Sequence, residues 1–246
     1  MMRRAYSVRV FLQDDSWIEP GYRAVVGYKG FGAVGIITVL HLVDELKMDR
    51  VGIVVSKHHP EYAFRGDRGL VYPYEIYVDR RKRLLAVATR EIPDERVRVD
   101  YVWEVTRFLK DLNVETVYLI GGLDSRLKRG PEDQLRWLAN SYYQGPVPRD
   151  PEFERGLLIV GPLALQLMFA DVLGVPALAL LPYAKTDAPD PAAAAVAVDR
   201  LNSLLGTSVR VDELLAEAAR IQEELSRLEE AASRDAGERR GSEPYM

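Results

Sequence analysis

The run from Arg23 to Val55 limits the possible folds more than any other part of the chain. Arg23–Tyr28 is predicted to form an apolar strand, a glycine-rich loop follows it, and Ala33–Leu46 has the length of a helix. The first turns of that helix are apolar on every side, so the helix start should be buried. Val51–Val55 is then predicted to be a short buried strand. Strand, helix and strand in this order predict a βαβ unit with a parallel pair of strands in the core.

Hydrophobic periodicity beyond this unit predicts further alternating strands and helices. The predicted elements are a first strand at Tyr6–Leu12, a hairpin of Leu70–Tyr77 and Leu84–Thr89, a helix at Val97–Leu112, strands at Thr116–Ile120, Leu157–Val160 and Ala177–Leu181, and helices at Pro162–Leu173 and from Asp190–Pro191 to Leu205. We therefore expect one α/β core domain over residues 1–206, an amphipathic helix over residues 207–233 and a flexible polar tail over residues 234–246.

Composition excludes several classes of function. The net charge is −4, which gives no general electrostatic attraction to nucleic acid or to anionic membranes. The chain has no cysteine, so disulfides, thiolate nucleophiles and cysteine metal ligands are excluded. Because no run approaches the roughly 18 apolar residues of a membrane span, we expect a cytoplasmic protein without membrane or nucleic-acid partners.

The glycine-rich loop matches the pattern G-x-G-x-x-G, with glycines at positions 30, 32 and 35 and Phe31 between the first two. In dinucleotide-binding folds such glycines let backbone amides approach a pyrophosphate at a helix N-terminus. The acid that should bind the ribose about 20 residues later is missing, because the next strand ends Ser56–Lys57–His58. The alternative interpretation is that the glycines allow a buried helix to pack close to the sheet. A second glycine pair, Gly121–Gly122, ends a buried strand.

No catalytic or metal site is predicted. His58 and His59 are adjacent, so on a strand they would point to opposite sides, and a surface loop is favoured over metal binding. Ser125 lacks nucleophile-elbow spacing and an identifiable histidine partner, which favours a turn, although a small-ligand cleft at this strand end stays open. We expect no cofactor.

The C-terminal helix has a heptad seam, in which apolar residues are spaced alternately four and three apart. Its positions include Leu214, Ala218, Ile221, Leu225 and Leu228. The seam predicts either a helix that lies on its own domain or a helix shared between subunits.

Three segments together give the chain its resemblance to a known family. They are Val25–Gly35, Tyr118–Gly122, and Pro176–Leu181 followed by Pro189–Pro191. In order and spacing they resemble the archaeal proteasome assembly chaperone family, homologues of the second eukaryotic proteasome assembly chaperone. The resemblance implies a three-layer α/β/α sandwich around a largely parallel sheet, reminiscent of nucleoside phosphorylases. It also implies self-association and no established catalysis.

Some members of that family end in a hydrophobic residue, a tyrosine and any residue, and this tripeptide docks between α subunits of the 20S proteasome. The present chain ends Pro244–Tyr245–Met246, so the tyrosine is in the matching place and a proline replaces the usual aliphatic residue. The resemblance therefore implies a homo-oligomeric chaperone or adaptor of the 20S α-ring. Two alternatives stay open, namely a nucleotide- or nucleoside-binding enzyme that uses the Gly30–Gly35 loop, and an oligomeric scaffold with an inert tail.

Overall fold

The computed structural model describes residues 7–66 and 69–220 and shows helices on both faces of one mixed sheet. In chain order the strands are β1 Val8–Leu12, β2 Arg23–Tyr28, β3 Asp49–Ser56, β4 Phe64–Gly66, β5 Gly69–Val71, β6 Tyr74–Asp79, β7 Leu84–Thr89, β8 Thr116–Ile120, β9 Leu123–Asp124, β10 Leu135–Ala139 and β11 Ala177–Ala184. The helices are α1 Val34–Glu45, α2 Arg98–Asp111, α3 Gly161–Leu173 and α4 Pro191–Leu205, and a further helix runs over residues 212–220.

The sheet has the strand order β1-β3-β6-β7-β2-β8-β11-β10, with β9 beside the end of β11. Its centre is parallel, because β7, β2, β8 and β11 pair in the same direction. The strands on both sides of this centre pair antiparallel. Helices α2 and α3 cover one face and helices α1 and α4 the other. The predicted α/β/α sandwich is confirmed.

The two strands of the predicted βαβ unit are not neighbours in the sheet. Strands β2 and β3 do run in the same direction, but the hairpin of β6 and β7 lies between them. Sequence periodicity identified both of these strands but not their neighbours, since pairing in a sheet depends on residues far along the chain.

Local sequence signals explain both ends of α4 and the C-terminal end of α3. The carboxylate of Asp190 accepts a hydrogen bond from the Ala193 amide at 3.0 Å, and Pro191 occupies the first turn, as predicted for the start of α4. Gly206, in the left-handed conformation, ends the same helix, and Gly174 ends α3 in the same way.

Three differences from prediction concern edges. The segment Leu157–Val160 is not a strand, and it leads into α3 without joining the sheet. Strand β10 was not predicted, and it forms the sheet edge next to β11. The first strand of the predicted hairpin begins at Tyr74, because residues 69–71 pair with β4 in a separate small hairpin.

Candidate functional site

The two glycine segments singled out in the sequence meet in space. They follow β2 and β8, which are adjacent parallel strands with Gly27 opposite Ile120. A Cβ atom placed on Gly122 would lie 2.4 Å from the carbonyl oxygen of Phe31. The Gly30 loop and the Gly121–Gly122 turn are therefore in backbone contact at the carboxyl edge of the sheet.

This position is a topological switch point. From β2 the chain passes into α1 on one face of the sheet, whereas the connection from β8 to β11 includes α3 on the opposite face. The crevice between such strands is where ligands bind in open α/β sheets. The candidate site therefore lies where the architecture itself leaves an opening.

A cavity of about 570 Å³ occupies this crevice. Its walls come from the loop after β2, the turn after β8 and the segment before α3, and they include Tyr28, Phe31, Ile92, Ile120, Leu123, Leu158, Val160 and Leu163. At its rim Lys29 Nζ lies 3.1 Å from Glu91 Oε2, with both side chains well exposed. The lining is thus mainly apolar, and its charged groups neutralise each other.

The glycines of the loop serve close packing between backbones. A Cβ atom on Gly35 would lie 2.4 Å from the carbonyl oxygen of Ile120 and 2.6 Å from that of Tyr28, so α1 rests directly on β2 and β8. Gly27 faces the same contact from the strand, where an added Cβ would lie 2.0 Å from the Gly35 carbonyl oxygen. The motif therefore has a complete structural explanation in helix–sheet packing.

Gly32 has a different reason to be glycine. Its φ of 59° lies in the left-handed region, and an added Cβ would meet the Cβ atoms of Ala184 at 2.8 Å and Asp190 at 2.9 Å. The Asp190 amide also donates a hydrogen bond to the Gly32 carbonyl oxygen at 2.8 Å. The segment between β11 and α4 thus closes over the loop.

Strand order gives a second difference from a dinucleotide site. Strand β3 does not adjoin β2, so this βαβ unit lacks the strand arrangement of such a site.

A buried tyrosine lies under the cavity. The Tyr28 hydroxyl is within 2.5 Å of Gln166 Oε1 and donates a hydrogen bond to it. Burial, with a smaller contribution from Tyr101, raises the pKa of Tyr28 well above its ordinary value. Tyr28 therefore stays neutral and acts as a hydrogen-bond donor that ties β2 to α3, which is a structural role.

The other polar candidates are held in local structure. Ser125 begins a 3₁₀ turn whose preceding residue, Asp124, accepts a hydrogen bond from the Arg126 amide at 2.9 Å. The His59 ring packs edge-on against Tyr74, with centroids 5.1 Å apart. Among residues 7–66 and 69–220, no group of three or more histidine, aspartate or glutamate side chains is arranged to hold a metal ion.

Only part of the predicted partner-binding residues can be placed. Leu214 is buried and packs on the α1–α4 side of its own domain, and Ala218 is half-buried. Ile221, Leu225 and Leu228 lie outside the described residues, as do Pro244, Tyr245 and Met246. Among the described residues, no helix is long and apolar enough to cross a membrane.

The sequence left a small-ligand cleft open at the end of β8, where this cavity lies, but it did not indicate the exposed apolar segment beside it. Leu158 and Val160 line the cavity and are largely exposed, although they were predicted to belong to a strand. A run of aliphatic residues indicates that the segment prefers an apolar environment. Both a strand in the core and an apolar patch on the surface satisfy this preference, so the sequence does not distinguish them.

The fold has several solved relatives. PbaA from Pyrococcus furiosus, described as an archaeal homolog of proteasome-assembly chaperone, is 26% identical, with a TM-score of 0.78 over 95% of this chain and 97% of that one. PbaB from the same organism, described as an archaeal proteasome activator, is 19% identical, with a TM-score of 0.74 over 91% and 99%. A PAC2 family protein from Streptomyces avermitilis is 18% identical, with a TM-score of 0.61 over 84% and 95%. The last two likenesses concern the fold alone.

No curated protein sequence matches the chain. The model of the PAC2 family matches residues 24–229, which include all but the first residue of the parallel centre of the sheet, both glycine segments and the helix after α4. The chain belongs to the PAC2 family.

Proposed function

We propose that this protein is a proteasome assembly chaperone or a proteasome-binding adaptor that docks on the 20S α-ring through its C-terminal tripeptide. The observation that carries the proposal is membership of the PAC2 family, together with 26% identity to PbaA over nearly the whole of both chains. The site supports binding rather than catalysis, because its glycines serve packing and its tyrosine is held neutral.

The last three residues have the chemistry that a docking tail needs. In a chain that ends at Met246, the terminal carboxylate supplies an anion for a lysine or for backbone amides. Tyr245 supplies a rigid aromatic ring with a hydroxyl group, the kind of side chain that dominates small interfaces. Pro244 fixes φ near −65°, so the tripeptide loses less conformational entropy when it docks.

Self-association strengthens such docking. A tripeptide buries little surface, and several linked copies raise the effective concentration of each tail at the multimeric ring. We therefore propose a homo-oligomer, with the heptad positions Ile221, Leu225 and Leu228 as one candidate contact between copies.

The decisive experiment compares binding of purified 20S particles to the full-length protein and to Tyr245→Ala. We expect this substitution to abolish capture, and one added residue after Met246 should do the same because it moves the carboxylate. The matched control is Tyr142→Ala, which removes a half-exposed tyrosine of the core domain and should leave capture intact. Fold and solution mass should be unchanged in every variant.

Normal capture by either tail variant would contradict docking through the tripeptide. It would favour the alternative in which the protein is an oligomeric scaffold with an inert tail. The enzyme alternative depends on the Gly30–Gly35 loop, whose geometry is accounted for by packing and by closure of the segment at Asp190.

A further inference from the structure

Helix α3 is apolar on the side that faces away from its own sheet. Only Pro162, Leu163, Gln166 and Ala170 of this helix are buried. Met168 is 50% exposed and Val172 is 70% exposed. A helix that is apolar on all sides is normally buried on all sides, so the outer face of α3 lacks a partner within the described chain.

The segment that leads into α3 extends this face. Leu158 is 82% exposed and Val160 is 67% exposed, while Ile159 between them packs toward the core. The backbone at Val160 is extended, with φ −126° and ψ 165°. In the described part of the chain, the amides of these three residues donate to no backbone carbonyl group. The segment thus resembles an unpaired apolar edge, which invites another chain.

The same segment forms a ridge between two hollows. On one side lies the cavity at the switch point. On the other lies a groove of about 630 Å³. Its apolar lining includes Leu138, Phe153, Leu157, Ala164, Leu167 and Met168, and Glu152, Glu154, Arg155 and Asp171 also line it. A projecting apolar ridge and receiving hollows on one surface are the elements of a self-complementary contact, in which two copies related by a two-fold axis insert into each other.

Charge also favours contact with a second copy. No charged residue occurs from Gly156 to Ala170, in a chain in which 28% of the residues are charged. The single charged residue of α3, Asp171, accepts a hydrogen bond from the Ser141 hydroxyl at 2.9 Å. The ridge and α3 therefore bring almost no charge into a contact between two copies, whereas a charged partner surface would lose solvation against them without gaining a counter-charge.

The face extends over more than one element. It continues onto α2, where Trp103 packs edge-on against Phe169 with centroids 5.2 Å apart and Val99 is exposed. A standard protein interface buries roughly 800 Å² per partner and takes residues from several elements. The remaining chain is not the favoured occupant, because it continues from the helix at 212–220, and Leu214 of that helix packs on the opposite face of the sheet.

We propose that Leu157–Val160 and the outer side of α3 form the surface through which two copies of this chain associate. This inference deepens the proposed self-association and rests on it. Its test reads solution mass, whereas the docking test reads capture of 20S particles, so failure of one is distinguishable from failure of the other.

The experiment measures the mass of the full-length protein by light scattering over a range of micromolar concentrations. We expect the wild type to be a multiple of the 27.8 kDa chain and Leu158→Asp/Val172→Asp to fall to a single chain if this face is the main contact. The matched control is Val147→Asp, which places the same charge at an exposed valine outside the face and should keep the wild-type mass.

A wild type that stays a single chain, or a double variant that keeps the wild-type mass, would overturn the inference. Unchanged mass with loss of 20S capture would assign the face to the proteasome instead and would also overturn it. Circular dichroism verifies folding. If the double variant unfolds, Leu158→Asp alone repeats the test, because Leu158 lies outside any helix or strand and its side chain is the more exposed of the two.

Discussion

Helices α1 and α3 lie on opposite faces of the sheet and are similarly apolar in sequence, but their outer sides are covered to different extents. Helices α1 and α3 are both strongly apolar. The outer side of α1 is partly covered by its own chain, since His41 Nε2 lies 2.6 Å from the Arg210 carbonyl oxygen and Leu214 packs in the same cluster. The outer side of α3 has no comparable cover in the described residues. An apolar helix therefore predicts burial, while the location of its partner has to come from the structure.

The helices on the two faces also differ in how closely they pack on the sheet. Glycines at positions 27 and 35 bring the backbones of α1 and β2 into contact. On the other face, large side chains such as Tyr101 and Leu109 fill the space between α2 and the sheet. Close packing of α1 on the sheet therefore requires glycine, whereas packing of α2 on the sheet requires large side chains.

The largest expected effect tests this dependence. Gly35→Ala places a methyl group 2.4 Å from the Ile120 carbonyl oxygen, so we expect a loss of about 3 kcal/mol in unfolding free energy. The gain of about 1 kcal/mol in helix propensity is too small to compensate. Gly30→Ala is the matched control from the same motif. With no atom within 4 Å of its added Cβ, it should change stability by less than about 0.5 kcal/mol.

Urea unfolding of both variants measures the difference. Equal losses at positions 30 and 35 would mean that the loop, rather than the helix–sheet contact, limits stability, and the contrast between the layers would lose its basis.

An intermediate effect compares two valines, one in each layer. Val198 of α4 is fully buried and Val172 of α3 is mostly exposed. Val198→Ala should cost about 2 kcal/mol, from lost apolar burial and the remaining cavity. Val172→Ala should stay within about 0.5 kcal/mol when measured at dilute concentration, where association does not contribute. Similar losses at both positions would show that α3 is covered within a single chain.

The smallest expected effect concerns pH and lies in the α2–α3 layer. Burial against Tyr74 lowers the pKa of His59 from its ordinary value near 6.5. The unfolded chain therefore binds a proton more readily than the folded one, so stability falls as the pH drops below about 6.5 and the loss is complete below the folded-state pKa. His59→Phe keeps an aromatic ring and cannot titrate. Relative to this variant, the wild type should lose stability between pH 7 and 5, and parallel pH profiles would contradict the assignment.

Local signals in the sequence were sufficient for most elements. The start of α4 at Asp190–Pro191, the strand at Thr116–Ile120 and the helix at Pro162–Leu173 were predicted within one residue, because caps, glycines and periodicity are written locally. Strand β10 was missed since Arg136 breaks its apolar pattern. That arginine is buried only because Asp133 and Glu154 pair with it and the Tyr183 ring lies beside it.

The site was predictable only in pieces. The glycines of positions 30–35 and 121–122 were singled out, and close helix packing was one of the two interpretations. Their contact through Phe31 and Gly122 could not be predicted, because it depends on β2 and β8 being neighbours. The exposure of Leu158 was equally hidden, since an aliphatic run does not show whether a sheet has room for it.

The hairpin between β2 and β3 also has a kinetic consequence. The neighbours of strand β2 lie far along the chain, since Arg23 pairs with Leu84 and with Thr116. The chain must therefore close long loops before its central strand gains a neighbour. High contact order of this kind slows folding. During synthesis the apolar helix α1 emerges well before β7 and β8, and it remains without its sheet until they follow. A protein proposed to assist the assembly of others therefore exposes apolar surface of its own during synthesis. This makes the newly made chain a candidate for protection by general chaperones.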